Sequence, residues 1–343
     1  MPRRKPKEAV DLFVEPKVLD APVVRDLVPF DARLDADQLQ MALQGINQGS
    51  NELEIIELIT HRSNRQRQDI AAVFAAVYDQ DLVDYLKVAL GLHMENVITA
   101  LFLLPDVYDA VALHEALEGE LADEATLVEI VCTRSNAELL ALRDAYTTLY
   151  QRDLVSDFHC KSDGDFRRLL MSIILGIRDE DPDETIDPIQ LRDQARMEAQ
   201  LLFEPISEKL SAVQFSSTFV LMFSNPSHLQ LRYTFREFEK IVKMETEKVI
   251  SRFVTSNVAY PLLALVRIAK NKNAYFADLL FQALQNSAVD EKRLIRLIVS
   301  RSEKDLGNIK TEFQNAYRIS MDTAISGDNS YSYRSVLSAL IRD

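Results

Sequence analysis

Glycine is scarce in this chain, with 8 residues in 343, and runs of β-branched residues are few. Both residue types are frequent in sheet proteins, the first in turns and the second in strands. Long segments instead place apolar residues at the 3.6-residue period of a helix. We therefore predict an all-α protein.

Cysteines are also few and long apolar runs are missing, which bears on the compartment and on membrane insertion. The only cysteines are Cys132 and Cys160, which do not suggest a disulfide framework and fit a reducing compartment. No apolar run approaches the roughly 18 residues of a membrane span, and no signal-peptide pattern is present. We expect a soluble, cytoplasmic protein.

Motifs for catalysis are also missing. The five histidines are scattered and form no HExxH or other zinc spacing: His61, His93, His114, His159 and His228. No phosphate-binding glycine loop, G-x-S-x-G elbow or C-x-x-C occurs. We predict that the protein is not an enzyme.

Basic residues are fewer than acidic residues over most of the chain. The net charge is −14, although residues 1–7 (MPRRKPK) carry four positive charges, so the remainder carries −18. Such a body repels nucleic acid, and we expect no nucleic-acid partner. The basic start has three interpretations: a solvated tail, a nuclear-localisation signal or a lipid-headgroup contact. Five prolines within residues 1–30 indicate a partly extended N-terminal arm.

What the chain does contain is a repeat. Similar segments run over 55–78, 127–150 and 294–317, with a fainter copy over 219–242. Their equivalent anchor positions, spaced by 72, 92 and 75 residues, are Arg62, Arg134, Pro226 and Arg301. Repeats of this size indicate units that bury their apolar faces on one another.

Two features recur around each anchor. Apolar residues stand 7 and 3 positions before it, and 12, 16, 24, 36 and 39 positions after it. We predict that these columns form the core. The next helix is predicted to start with a capping box, in the order Ser63/Gln66, Ser135/Glu138, Ser227/Gln230 and the weaker Ser302/Asp305.

The repeats define the predicted domain boundaries. After the arm, residues 1–30, the repeats cover 31–104, 105–177, 189–271 and 272–343. The acidic, proline-containing segment 178–188 is a linker between the second and third repeats.

The repeated segments resemble the annexin family. The resemblance is carried by RSNRQRQDIAAVF (62–74), CTRSNAELLALRDAY (132–146), SDGDFRRLL (162–170) and LIRLIVSRSEKDLGNIKTEF (294–313). It implies that each repeat has about five helices in a right-handed superhelix, and that the four form a curved disc. It also implies binding to acidic phospholipid membranes through calcium, with the arm recruiting protein partners.

The calcium sites depart from the family pattern. That pattern needs a glycine-bearing loop between the first two helices, whose backbone carbonyls point at the ion, and a carboxylate 27 residues past the anchor. The first repeat keeps Gly45 and Gly49 in a longer loop, but Ala89 stands at the carboxylate position. The second reads EGELADE (118–124), and Lys161 replaces the carboxylate. Calcium needs about six to eight oxygen ligands, so such losses are costly.

In the third repeat SAVQF (211–215) has no glycine and Phe253 replaces the acid. The fourth lacks the glycine loop but keeps Asp328. We predict no complete calcium site. Weak metal candidates remain, with Asp163, Asp165 and Asp328 as carboxylates and Gly45 and Gly49 in the first loop; helix capping is the competing role for the three aspartates.

Lys161 supports a separate hypothesis. Its ammonium, standing where the partner of calcium would be, is a candidate contact for a lipid phosphate. The alternative is a salt bridge to Asp123 or Glu124 in the facing loop.

The leading prediction is a peripheral phospholipid-binding protein with weakened, atypical or lost calcium dependence. The alternative is a cytosolic protein–protein scaffold that keeps the fold without lipid; the oligomeric state stays open.

Overall fold

The computed structural model describes residues 19–45, 51–181, 188–209, 211–285, 289–326 and 333–342. Within these ranges the secondary structure is helical and no strand occurs, which confirms the all-α prediction. The described chain forms two compact units, one from residues 163–270 and one from residues 20–162 with 271–343.

The helices follow one another in the order of the predicted repeats. Residues 31–104 contain α1 (Ala32–Gly45), α2 (Glu52–Thr60), α3 (Asn64–Tyr78), α4 (Leu82–Leu90), a 3₁₀ turn (Leu92–Met94) and α5 (Glu95–Phe102). Residues 105–177 contain α6 (Pro105–Glu118), α7 (Glu124–Thr133), α8 (Asn136–Tyr150), α9 (Leu154–Lys161) and α10 (Gly164–Ile174). The repeat boundaries themselves stay predictions.

The second half follows the same order. After the linker come α11 (Pro188–Ser207), α12 (Ala212–Ser224), α13 (His228–Val242), α14 (Thr246–Phe253) and α15 (Ala259–Gln285). Helix α15 is broken by non-helical backbone at Asn271 (φ −159°, ψ 98°). The chain ends with α16 (Glu291–Ser302), α17 (Leu306–Tyr317), α18 (Met321–Ser326) and α19 (Tyr333–Ile341). Among the described residues, each predicted repeat region therefore holds five α-helical segments, counting the two parts of α15 separately and leaving out the 3₁₀ turn.

The predicted caps are confirmed in part. Reciprocal capping boxes start α3 at Ser63 and α8 at Ser135. Ser227 caps α13, but the side-chain amide of Gln230 donates to Glu198 Oε2 at 2.9 Å instead of returning to the cap. The fourth prediction is wrong, because Ser302 still lies in α16.

A left-handed residue ends the same helix in every repeat. It stands 17 positions after each anchor and is never glycine: Asp79 (φ 53°), Gln151 (54°), Lys243 (56°) and Arg318 (61°). Non-glycine residues adopt this conformation infrequently. Its recurrence at one position, including the faint third copy, shows that the four segments share a backbone design.

The predicted core columns are buried. Six of the seven columns have side chains between 0 and 3% exposed in all four copies. They are Ile55, Leu127, Phe219, Leu294; Ile59, Val131, Phe223, Ile298; Phe74, Tyr146, Phe238, Phe313; Leu86, Phe158, Ile250, Ile325; Ile98, Leu170, Leu262, Leu337; and Leu101, Ile173, Leu265, Leu340. The column 16 positions after the anchor is half-buried.

The three arginine anchors are ion-paired, whereas the third-repeat anchor is Pro226. Arg62 and Arg134 each donate two hydrogen bonds to an aspartate in the first helix of their repeat, Asp35 and Asp109 respectively. Arg301 instead binds Asp305, four residues on, at 2.7 and 2.5 Å, and this contact explains why Asp305 does not cap α17. These pairs fix the end of the second helix of a repeat.

Buried charge also joins α7 to α16 within the larger unit. Glu129, 1% exposed, accepts hydrogen bonds from Arg296 at 2.7 and 3.0 Å and from Arg293 at 3.2 Å. Burial lowers the pKa of Arg296, but the charge and hydrogen bonds of Glu129 outweigh it and hold that pKa above its usual range. The ion pair fixes α7 against α16.

The described helices contain no segment long and apolar enough to cross a bilayer. Cys132 is buried, Cys160 is exposed, and neither forms a disulfide bond.

Candidate functional site

The loop of the second repeat is described completely. Helix α6 ends at Glu118, and Asp123 starts α7 by accepting hydrogen bonds from the amides of Ala125 and Thr126 at 3.1 and 3.2 Å. The amide of Asp123 donates to the Ala116 carbonyl at 2.9 Å, which closes the loop. Asp123 is therefore occupied as a helix cap.

Lys161 reaches into this loop from the end of α9. Its Nζ donates to the main-chain oxygen of Gly119 at 3.0 Å. The sequence offered a lipid phosphate or a salt bridge to Asp123 or Glu124 as its partner. The structure shows the contact with a loop carbonyl, and the lipid-phosphate hypothesis stays a prediction. In the family pattern stated above, loop carbonyls are the groups that face calcium. The structure therefore places the positively charged ammonium of Lys161 against one of those oxygens.

Gly119 allows a tight loop. A β-carbon added at Gly119 would lie 2.9 Å from the main-chain oxygen of Leu121, closer than real contacts permit. The side chain of Leu121 is 88% exposed. The loop thus presents an apolar tip beside two neighbouring carbonyls.

A histidine below the loop was not singled out by sequence reasoning. His114 stacks on Tyr150 with 3.6 Å between ring centroids, and its Nε2 lies 3.0 Å from Glu118 Oε1. Its Nδ1 lies 3.1 Å from the hydroxyl of Tyr146, which donates to Asp157 at 2.7 Å. The four-residue spacing of His114 and Glu118 is the one signal that indicated this contact.

The remaining metal candidates are dispersed. Asp163 precedes α10 without capping it through its side chain, so the capping interpretation is wrong for this residue. Asp165 pairs with Arg168 at 2.8 Å. Gly45 is the last residue of α1. Gly49 and Asp328 lie outside the described residues.

The carboxylate positions of the first and third repeats carry no acid. Ala89 lies in α4. Phe253, at the end of α14, packs on Phe215 with 5.3 Å between ring centroids. Ser211 forms a capping box with Gln214, so SAVQF begins α12 and does not form a glycine-type loop. Val213, equivalent to Leu121, is 72% exposed.

Comparison with known proteins identifies the family of this chain. The annexin family model matches residues 34–101, 108–173 and 275–340. Annexin B10 of Drosophila melanogaster is 37% identical over 321 residues, covering 93% of this chain and 97% of that protein. The chain belongs to the annexin family.

Solved annexin structures agree with the fold. Annexin III has 33% identity and a TM-score of 0.86, covering 95% of this chain and 98% of that chain. A calcium-bound annexin, (Sm)1, has 26% identity and a TM-score of 0.81, covering 94% of this chain and 93% of that chain. Annexins bind phospholipid membranes in a calcium-dependent way and are generally not enzymes.

The second repeat of this annexin does not fit calcium. Calcium is bound by about six to eight oxygens, with carboxylates supplying negative charge. Here the Gly119 oxygen accepts from an ammonium, which repels a divalent cation at the same oxygen. Among the described residues, no group of three or more His, Cys, Asp or Glu side chains is placed to hold a metal.

Proposed function

We propose that this annexin is a peripheral phospholipid-binding protein whose calcium dependence is weakened, acting from the cytosolic side of a membrane. The observation that carries the proposal is the hydrogen bond from Lys161 Nζ to the Gly119 oxygen, 3.0 Å. A side-chain ammonium in place of a carboxylate supplies locally the positive charge that calcium supplies in the family.

The other described carboxylate positions support the same proposal. Ala89 offers no carboxylate, and the ring contact of Phe253 with Phe215 closes that end of the third repeat with apolar surface. Weak metal binding by Asp163, Asp165 or Asp328 stays a secondary proposal, since none of them has a described partner set for calcium. Gly45 and Gly49 belong to the same secondary proposal.

The N-terminal arm, residues 1–30, is proposed as a site for a protein partner. Its described end is fixed to the folded body: Ala21 N donates to Asn308 Oδ1 at 2.7 Å, and Leu27 N donates to Gln66 Oε1 at 3.0 Å.

Co-sedimentation with phosphatidylserine-containing vesicles during a calcium titration tests the proposed function. We expect pelleting that changes little between chelator and millimolar calcium. Steep pelleting driven by micromolar calcium would contradict the weakened dependence. Absence of pelleting under all conditions would favour the scaffold instead.

Lys161→Glu is expected to increase calcium dependence. The change removes the ammonium and places a carboxylate at the position where the family has one, so the calcium concentration for half-maximal pelleting should fall about tenfold or more, equivalent to about 1.4 kcal/mol. Lys161→Met is the control, because it removes the charge without adding a ligand. An unchanged calcium titration for Lys161→Glu would show that Lys161 does not block the site.

A further inference from the structure

A cavity of about 710 Å³ lies in the groove between α1 and α2 of the first repeat. We propose that this α1–α2 groove binds a basic amphipathic helix of a partner protein. The apolar side of that helix packs on Met41 and Leu58, and its lysine or arginine side chains bind Glu54 and Glu57. The inference concerns a different surface from the second-repeat loop and does not depend on the proposed membrane function.

The groove has the length of a short helix. It runs along the whole of α2, from Asn51 at the start of that helix to Arg62 just after its end. This distance is roughly 16 Å at the rise of an α-helix. The groove can therefore hold about three turns of another helix.

The walls of the groove determine the secondary structure of its occupant. Both walls are α-helices, whose main-chain N–H and C=O groups are bonded within each helix. An extended segment binds by pairing its main chain with the edge of a sheet, and no strand occurs in the described part of the chain. A helix satisfies its own main-chain groups and presents only side chains to the groove. The occupant that suits these walls is therefore a helix.

The bottom of the groove is apolar, and its α1 edge carries exposed apolar side chains. Leu39 and Ala42 line the groove and are 0% and 4% exposed. Leu58 is half-buried, whereas Met41 is 64% exposed. Leu34, one heptad before Met41 on the same stripe of α1, is 55% exposed. A helix laid over the groove removes these side chains from water, and methionine adapts its shape to the residues that cover it.

The charge at the rim of the groove is negative. Glu54 and Glu57 are exposed, and neither side chain forms an ion pair with any residue that the structure describes. The guanidinium of Arg62 is already bound to Asp35, with hydrogen bonds of 2.6 and 2.9 Å. The ring of His61 is turned to its own helix, with Nδ1 2.8 Å from the main-chain oxygen of Glu57. The two carboxylates are therefore available to cations from another molecule.

The spacing of the two carboxylates selects the spacing of the cations. Glu54 and Glu57 stand three residues apart on α2, which places their β-carbons about 5–6 Å apart. Lysine or arginine residues three or four positions apart on a helix lying along α2 have the same separation. Exposed ion pairs contribute little free energy each, so the apolar contact supplies most of the affinity and the carboxylates select a basic helix over an acidic one.

Synthetic peptides test this inference on the full chain. The probe is a helical peptide with apolar residues at i, i+3, i+4 and i+7 and lysines beside them. It carries one tryptophan, whose emission reports binding because the chain has none. One control peptide has the same composition without the apolar stripe, and the other has glutamate in place of lysine. We expect the probe to bind about tenfold more tightly than either control, with a blue-shifted emission.

Substitution of an apolar side chain locates the bound peptide. Met41→Ser should weaken binding of the probe about tenfold, because it removes an apolar contact at the edge of the groove. Leu140→Ser is the control, since Leu140 lies on α8 and is 56% exposed, and it should leave binding unchanged. Melting curves of all variants check that each is folded.

Reversing the charge of the rim tests the selection of a basic helix. Glu54→Lys/Glu57→Lys should reverse the preference, so that the glutamate peptide binds more tightly than the lysine peptide. Asp69→Lys/Asp144→Lys makes the same change in net charge at exposed acids of α3 and α8, and it should keep the original preference. This comparison separates the groove from the negative charge of the whole protein.

Three results would overturn the inference. The first is equal binding of the probe and of the peptide without an apolar stripe, which would show that net charge alone attracts both. The second is an unchanged preference in Glu54→Lys/Glu57→Lys. The third is a dimer of the free protein that Met41→Ser dissociates in analytical ultracentrifugation, which would assign the groove to a second copy. None of these experiments contains a vesicle, so such results leave the proposed membrane function standing.

Discussion

Replacing Glu129 by glutamine is expected to lower the free energy of unfolding of the unit that contains it by about 3–5 kcal/mol. Glu129 is 1% exposed and accepts hydrogen bonds of 2.7 to 3.2 Å from Arg296 and Arg293. A neutral amide leaves the guanidinium of Arg296 buried without a counter-charge. Denaturant unfolding followed by circular dichroism measures the change.

A surface pair supplies the control for Glu129. Glu115 and Lys292 lie 2.9 Å apart with exposed side chains, so Glu115→Gln should cost less than about 1 kcal/mol. The paired change Glu129→Leu with Arg296→Met should recover most of the lost stability, since apolar residues of similar volume replace a buried pair without cost. Equal effects of Glu129→Gln and Glu115→Gln would refute the role assigned to the buried cluster.

Phe219→Ala is expected to cost about 3–5 kcal/mol, because it removes a fully buried ring. Phe219 is 0% exposed and lies 4.6 Å from Phe215, 5.5 Å from Phe223 and 6.0 Å from Phe238, measured between ring centroids. It belongs to the column that holds Ile55, Leu127 and Leu294 in the other copies. The same denaturant experiment measures its effect on the unit of residues 163–270.

Leu221 is the matched control for Phe219. It lies two residues away on α12 and is 67% exposed, so Leu221→Ala should change the unfolding midpoint little. A small effect of Phe219→Ala would mean that the third segment does not share the core of the other repeats. The two substitutions thus test the assignment of the faintest copy.

The buried core was predictable because the same spacing of apolar residues recurs in all four repeats. Ile55, Leu127 and Leu294 share helical spacing with the residues four positions on, and all are buried as expected. Even Phe219, in the copy with the fewest shared residues, follows the same rule. Side-chain hydrophobicity alone carries this information.

Polar contacts were less predictable, because a polar side chain has several partners within reach. Ser302 has the spacing of a cap, yet Asp305 binds Arg301 and the helix starts later. Glu129 lies on a helix whose apolar residues gave no sign that two arginines of α16 would meet it. Tertiary contacts of this kind are not encoded by local pattern.

The candidate site likewise has features that the sequence reveals and features that only the structure shows. The loss of the carboxylate at Lys161 is visible in the sequence, because it depends on residue type at one aligned position. The contact of Lys161 with the Gly119 oxygen depends on where a main-chain carbonyl points, which residue type does not determine. The apolar tip at Leu121 became apparent only from its exposure.

Direct measurement of calcium binding by titration calorimetry tests the central claim, that an annexin fold persists here without working calcium loops. The account predicts no site tighter than about a millimolar dissociation constant, near the weak end of protein calcium sites. It also predicts that Lys161→Glu gains one site under the same conditions. Two or more micromolar sites in the unmodified protein would contradict it.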